Sequence, residues 1–335
     1  MKKNKFKTHL VSLGLLAEKK LTKRRTLPDY NPAAEQDINL VARQTAPAAI
    51  PRQIWMYWES ETLPEEVQIF VDKIVRENPG YQVTVINNLN IQHYLPDLHF
   101  VHQDMRPSHK SDVIRLELLY RYGGIWMDAT IILNRTMDEL LAVNVDDGYD
   151  LIAFYRDSST LDKDYPVIES WFLAAPRNNA FIARWLHFFR PIVEVGADEF
   201  FRRLLALPNY ETIVQGITPP DYLVVYIAQQ QALRENNLYN FYLRKCEASA
   251  LLYQSLVEWR PVKLSRMLMV DRLPAVLPPL TKLTGFDRKY LDTNLKYGVV
   301  NKDSLLGQIL LNSQKGARPQ TPVPAMTGKA YRITD

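Results

Sequence analysis

One stretch of the chain, H-K-S-D-V-I-R-L-E-L-L-Y-R-Y-G-G-I-W-M-D-A-T-I-I-L from His109 to Leu133, gathers side chains whose types and spacing could do chemistry. Asp112 and Arg115 stand three apart where an apolar periodicity begins, so they share one face of a helix near its start, with Ser111 beside them as a capping residue. Asp128 follows the Gly123-Gly124 turn and the apolar run Ile125-Trp126-Met127, which places it at the carboxyl end of a strand. Ligands of open α/β sheets bind just outside such ends. A carboxylate there accepts from sugar or ribose hydroxyls, an arginine presents paired donors to an oxygen-rich face, and an aspartate holds Mg²⁺ or Mn²⁺ on a diphosphate. These types suit a nucleotide sugar, and Trp55, Tyr57 and Trp58 add rings that could stack on its base. Each residue also has a plainer reading. Asp112 would be a helix-start charge, Arg115 a partner of Glu117 or Asp112, Asp128 a turn residue and the tryptophans simple core.

Positioning these groups requires a sheet and helices, and the sequence supplies both. The body is expected to begin near Ile50, with a short buried strand over Gln53-Ile54-Trp55-Met56-Tyr57-Trp58. Pro64, with Glu65 and Glu66 behind it, opens a helix whose stripe is Val67, Phe70, Val71, Ile74 and Val75 and which Asn78-Pro79-Gly80 ends. Tyr81 to Ile86 alternates as a strand, completing a βαβ unit. The helix that carries Asp112 buries Val113, Leu116, Leu119 and Tyr120 and closes at the two glycines. Further strands are read at Thr130 to Leu133, Leu151 to Tyr155 and Ser170 to Ala174, and helices at Asn179 to Val193, Ala197 to Leu207 and Asp221 to Asn236. The class is mixed α/β, a Rossmann-like sheet flanked by helices with a more helical second half.

The formal charge of +4 is uneven: nine Lys or Arg lie in the first 25 residues against the single acid Glu18, so the remainder is net acidic. A body without excess positive charge does not fit nucleic-acid binding. The lone Cys246 forms no internal disulfide and fits a reducing cytoplasm. No apolar run approaches the roughly 20 residues of a spanning helix. The start resembles a signal peptide only superficially, because its apolar stretch is short and runs into Glu18-Lys19-Lys20. Two readings stand for it: a solvated tail, or an amphipathic helix with Phe6, Leu10, Leu13 and Leu16 or Ala17 on one side, suited to an anionic lipid surface. The expected organisation is a basic segment and proline-bearing linker over 1–49, a catalytic body over 50–312 and a loose tail over 313–335. No G-x-G-x-x-G, Walker A or H-E-x-x-H pattern occurs, which argues against dinucleotide redox, P-loop and zincin chemistry.

Several blocks, in order, resemble the capsular polysaccharide synthesis proteins: I-P-R-Q-I-W-M-Y-W at 50–58, N-P-G-Y-Q-V at 78–83, S-D-V-I-R through D-A-T, S-W-F-L-A-A at 170–175, D-Y-L-V-V-Y-I-A-Q-Q-Q at 221–231 and K-L-T at 282–284. These proteins stand with the DXD-containing sugar transferases, alongside yeast-type mannosyltransferases and glucosylating clostridial toxins. The resemblance implies a GT-A fold, a nucleotide-sugar donor, a bacterial polysaccharide or lipid-linked acceptor and retention at the anomeric carbon. By position it makes Trp55 a base-stacking residue, Asp112 and Arg115 donor-sugar contacts, Asp128 a ribose or metal contact, and Lys282 and Thr284 groups that close over the phosphates. Thr130 stands where the DXD transferases carry a second acid, which weakens the case for Mn²⁺ or Mg²⁺. The resulting expectation is a cytoplasmic glycosyltransferase at the inner membrane face. The competing readings are a non-catalytic nucleotide-sugar or glycan binder of the same fold and a glycoside hydrolase, the latter lacking an identifiable carboxylate pair.

Overall fold

The structure, a computed structural model, describes residues 2–42, 48–142, 148–236 and 238–311. Its centre is a seven-stranded mixed sheet in the order β1-β8-β6-β7-β4-β2-β3. The strands are β1 (Ile38–Val41), β2 (Gln53–Tyr57), β3 (Gln82–Ile86), β4 (Gly124–Met127), β6 (Leu151–Tyr155), β7 (Ile168–Ala175) and β8 (Asn240–Lys245). Two short strands, β5 (Ile131–Leu133) and β9 (Leu280–Lys282), form a separate antiparallel pair. β2 runs parallel to both β3 and β4, as the strand, helix, strand reading requires, and β7 runs antiparallel to β4 and β6. The expected mixed α/β architecture is the one observed.

The principal helices are α1 (Lys2–Leu21), α2 (Glu65–Glu77), α3 (Pro107–Tyr122), α4 (Ala180–Phe189), α5 (Ala197–Leu205) and α6 (Val224–Glu235). Strand alternation sorts the core into two layers. Trp55 and Trp126, paired across β2 and β4, face the layer shared with Val113, Leu116, Trp185 and Ile227 from α3, α4 and α6. Ile54, Met56, Ile125 and Met127 face the opposite layer, which α2 closes with Val67, Val71 and Ile74. Two members expected in helical stripes lie outside these layers: Val75 is 49% exposed at the edge of α2, and Tyr120 is 37% exposed on α3.

α3 starts four residues before Ser111. Pro107 at its first turn has a preset φ and no amide proton to satisfy, and Arg106 before it is extended. Ser111 therefore lies within the helix and does not cap it. At the other end Gly123 and Gly124 have φ of 66° and 101°, and a Cβ on Gly124 would lie 2.5 Å from the Gln53 carbonyl oxygen. Only glycine allows the chain to leave α3 and enter β4 this close to β2.

The N-terminal stretch differs from expectation. Residues 26–41 lie on the body: Leu27 is buried, Thr26 bridges Arg272 and β1 extends the sheet antiparallel to β8. α1 docks through Leu15 onto Val270 and Val299, with Lys19 donating to the Gly298 carbonyl at 2.7 Å. Its buried side is thus Val11, Ser12, Leu15 and Leu16, not the expected stripe, and Leu10 and Leu13 face outward. The expected tail over 313–335 lies outside the described residues. Among the described residues no helix is long and apolar enough to cross a membrane.

Candidate functional site

A cavity of about 840 Å³ opens at the carboxyl ends of β2 and β4. Its floor is built from α3, the residues after β4, the start of β7 and β9. Arg115, with a side chain only 5% exposed, is the hub. It donates to the hydroxyls of Ser170 and, at 3.0 Å, Ser111, pairs with Asp112 at 3.1 Å and reaches Asp128 at 3.5 Å. Its guanidinium lies 4.9 Å from the centre of the Trp126 ring, and the Trp126 indole N–H donates to Asp128 Oδ1 at 3.2 Å. Helical spacing on α3 brings Ser111, Asp112 and Arg115 to one wall, while strand geometry carries Asp128 to the other, with the buried Trp126 behind it.

Lys282 completes the floor. β9 pairs with β5 so that Lys282 stands opposite Ile131, immediately after the D-A-T turn. Its ammonium donates to Asp128 Oδ2 at 2.7 Å and to Thr130 Oγ1 at 3.1 Å. The Thr130 hydroxyl donates in turn to the Leu283 carbonyl at 2.6 Å. Thr284 also lines the cavity, and its hydroxyl accepts from the Asp287 amide at 3.2 Å, fixing the turn after β9.

The two carboxyls are tuned in opposite directions. Burial pushes Asp112 up to about 6; the adjoining Asp128 charge adds to this, and Arg115 and the Ser170 hydroxyl oppose it. Burial would raise Asp128 too, but Lys282 and Arg115 outweigh it and hold the carboxyl below its ordinary value. Because the folded value of Asp112 exceeds the ordinary 3.8, its contribution to stability is complete below about pH 3.8 and is lost as pH rises through about 6. Ionised Asp112 is the form that accepts from two hydroxyls at once. Donor binding is therefore expected to weaken as pH falls through about 6, and Asp112→Asn to bind more weakly with no such step. A titration of binding against pH checks this, and a step that persists in Asp112→Asn would assign it to another group.

Of the residues expected at the site, the cavity wall gathers Tyr57, Trp58, Ser111, Asp112, Arg115, Asp128, Thr130, Lys282 and Thr284. Trp55 is the exception. It is buried on the same sheet face as Tyr57 but two residues deeper, donates to the Gly123 carbonyl at 2.9 Å and packs against Tyr94 and Tyr122, so it cannot stack on a ligand. One pleat period, about 7 Å, separates it from the strand end. The cavity also holds residues outside that set. Glu169 is buried between Arg156 at 2.7 Å and the Tyr226 hydroxyl, which donates to it at 2.6 Å, and Arg156 lies under the Trp259 ring. Ser170, Tyr226 and Trp126 all belong to sequence blocks already singled out, but nothing in the sequence marked the Trp126 indole N–H as a donor to Asp128.

The Mg²⁺ or Mn²⁺ expected on Asp128 does not fit this donor set. Both Asp128 oxygens and the Thr130 hydroxyl are engaged by Lys282, Arg115, Trp126 and Leu283, and the described residues contain no group of three His, Cys, Asp or Glu placed to hold an ion. A cation bound there would face an ammonium and a guanidinium at contact distance.

The sequence profile of the family described as "Capsular polysaccharide synthesis protein" matches residues 17–192, more than half of the chain. The O-glycosyltransferase braB of Annulohypoxylon truncatum is 27% identical over 165 residues, covering 44% of this chain and 38% of that protein. The glycosyltransferase afumC of Aspergillus fumigatus is 27% identical over 193 residues, covering 50% of this chain and 49% of that protein. The chain thus spans less than half the length of the curated relatives it matches. Among solved structures, the PaToxG glycosyltransferase aligns with 77% of this chain and 90% of its own at 15% identity, with a TM-score of 0.36.

Proposed function

Since the chain belongs to the capsular polysaccharide synthesis protein family, we propose that it is a GT-A glycosyltransferase moving a sugar from a nucleotide sugar to a hydroxyl of a polysaccharide or lipid-linked glycan, with retention, in the making of a bacterial capsule or other surface polysaccharide. The observation that carries the reading is Asp128 held between Lys282 and Arg115 on the floor of a cavity at the strand carboxyl ends. Tyr57 and Trp58 at the β2 end offer rings to the base, and Arg115 and Asp112 offer a donor and an acceptor to the sugar hydroxyls. Glu169, ion-paired with Arg156 and accepting from Tyr226, is read as a structural carboxylate and is assigned no nucleophilic part.

The hard step is breaking the bond between the anomeric carbon and the β-phosphate oxygen, and positive charge beside that oxygen lowers its barrier. Lys282 and Arg115 supply it. The test is a panel of UDP-, GDP- and CMP-sugars with the full chain, measuring both binding and nucleotide release. One donor class bound and turned over is the expected result. A donor that is bound but never turned over would instead support the non-catalytic binder, and the absence of any binding would contradict both.

The acceptor reading extends to α1. On this docked helix Leu10 is 53%, Leu13 46% and Leu21 84% exposed, forming with Ala17 an outward apolar stripe beside Lys20 and Lys23. Such a face lies flat on anionic lipid and would hold the enzyme at the cytoplasmic face of the membrane. Leu10→Ser with Leu13→Ser is expected to weaken binding to phosphatidylglycerol vesicles at least about tenfold, given the apolar area removed from the contact. Equal sedimentation of variant and wild type with those vesicles would remove this part of the proposal.

A further inference from the structure

We propose that this chain binds and activates its donor's diphosphate without a divalent ion, the ammonium of Lys282 serving as the built-in cation. The inference rests on the transferase reading and names the electrophilic group of that site. Three observations converge on it. The D-A-T turn offers one carboxylate, and the next oxygen along, Thr130 Oγ1, has its proton committed to the Leu283 carbonyl and its lone pair turned to Lys282. A neutral hydroxyl in that state is a poor ligand for Mg²⁺ or Mn²⁺ but a good acceptor for an ammonium. Lys282 is also fixed from both sides of its backbone. Its amide donates to the Ala250 carbonyl at 2.9 Å, and its carbonyl accepts from Gln254 Nε2 at 2.6 Å, so its position does not depend on a mobile loop. Finally, two of its three N–H groups are used, on Asp128 and Thr130, and the third has no acceptor among the described residues while the side chain stays 8% exposed on the cavity wall.

A diphosphate seated in the cavity that Lys282 lines would supply the acceptor for that third donor. Asp128 and Thr130 hold the ammonium in place, acting as positioning residues. In the transfer step the anomeric carbon–oxygen bond breaks and its electron pair stays on the β-phosphate oxygen, giving the nucleoside diphosphate. The acceptor hydroxyl oxygen bonds to the anomeric carbon, and its proton passes to the departing diphosphate. Lys282 keeps its own proton and opposes the charge that grows on the leaving oxygen.

The test is calorimetric titration of the full chain with UDP and with GDP, in chelator and in Mn²⁺, for wild type, Lys282→Arg and Lys282→Ala. The expected result is one nucleotide binding equally, within about twofold, with and without metal. Lys282→Ala should lose at least about tenfold in chelator, and Lys282→Arg, which keeps the charge, should recover most of it. An Ala variant that does not fold leaves the chelator comparison on wild type and the Arg variant to decide. Wild-type binding that appears only with Mn²⁺ would overturn the inference while leaving the transferase reading intact. An Ala variant that folds and binds as wild type does would also overturn it, and no binding of either nucleotide under any condition would overturn both.

Discussion

Asp128→Asn is expected to lower donor turnover by about two to three orders of magnitude, with a much smaller change in nucleotide binding. Asp128 accepts simultaneously from Lys282 on Oδ2 and from Trp126 and Arg115 on Oδ1. An asparagine has one accepting oxygen, so whichever way its amide turns, it presents N–H groups to a cation or to the indole and displaces one of them. In the proposed reaction the two positive groups act on the leaving diphosphate, and losing one well-placed donor at a developing charge costs about a hundred- to a thousandfold in rate. Single-turnover nucleotide release by the two proteins measures the effect. Turnover within about tenfold of wild type would mean that the order imposed by Asp128 is not what the reaction uses.

The second large effect concerns stability. Arg115→Met removes the only cation within contact of Asp112 among the described residues and leaves that carboxyl in a buried setting, still facing the Ser170 hydroxyl and near Asp128. Removing one partner of a buried ion pair typically costs about 3–5 kcal/mol, because the remaining charge is unpaired. Here the cost is pH-dependent, and its sign follows from the chemistry. Without Arg115 the Asp112 carboxyl rises further above its ordinary value, so the protonated form persists to higher pH and the loss is smaller in acid than in base. Urea unfolding at pH 5.5 and pH 8 is expected to show the larger deficit at pH 8. Arg115→Lys keeps the charge but not the fork that reaches Ser111, Ser170 and Asp112 together, so it should recover only part of the deficit. Equal losses at the two pH values would place the destabilisation elsewhere, for instance in the lost stacking on Trp126.

The sheet centre and its helices were legible because their signals are local. The alternation of Gln82 to Ile86, the glycine pair at 123–124 and the apolar spacing of 113, 116 and 119 each report the element that contains them. The floor of the site was legible in α3 and the D-A-T turn for the same reason. Trp55 shows where that kind of reading stops: periodicity gives the face of a strand, but not how far along it the sheet is covered. Lys282 was found through resemblance alone, since β9 is three residues long and its pairing with β5 joins segments about 150 positions apart. The N-terminal helix reads as amphipathic on two sides, and burial of Leu15 in preference to Leu10 depends on Val270 and Val299, which no local pattern announces.

The most direct test of the central claim is a crystal structure of the full chain with UDP or GDP, whichever binds, grown in the presence of chelator. The expected density has a β-phosphate oxygen at about 3 Å from Lys282 Nζ, with the base against Tyr57 and Trp58. A nucleotide bound away from the strand ends, or one whose diphosphate makes no contact with Lys282 or Arg115, would contradict it.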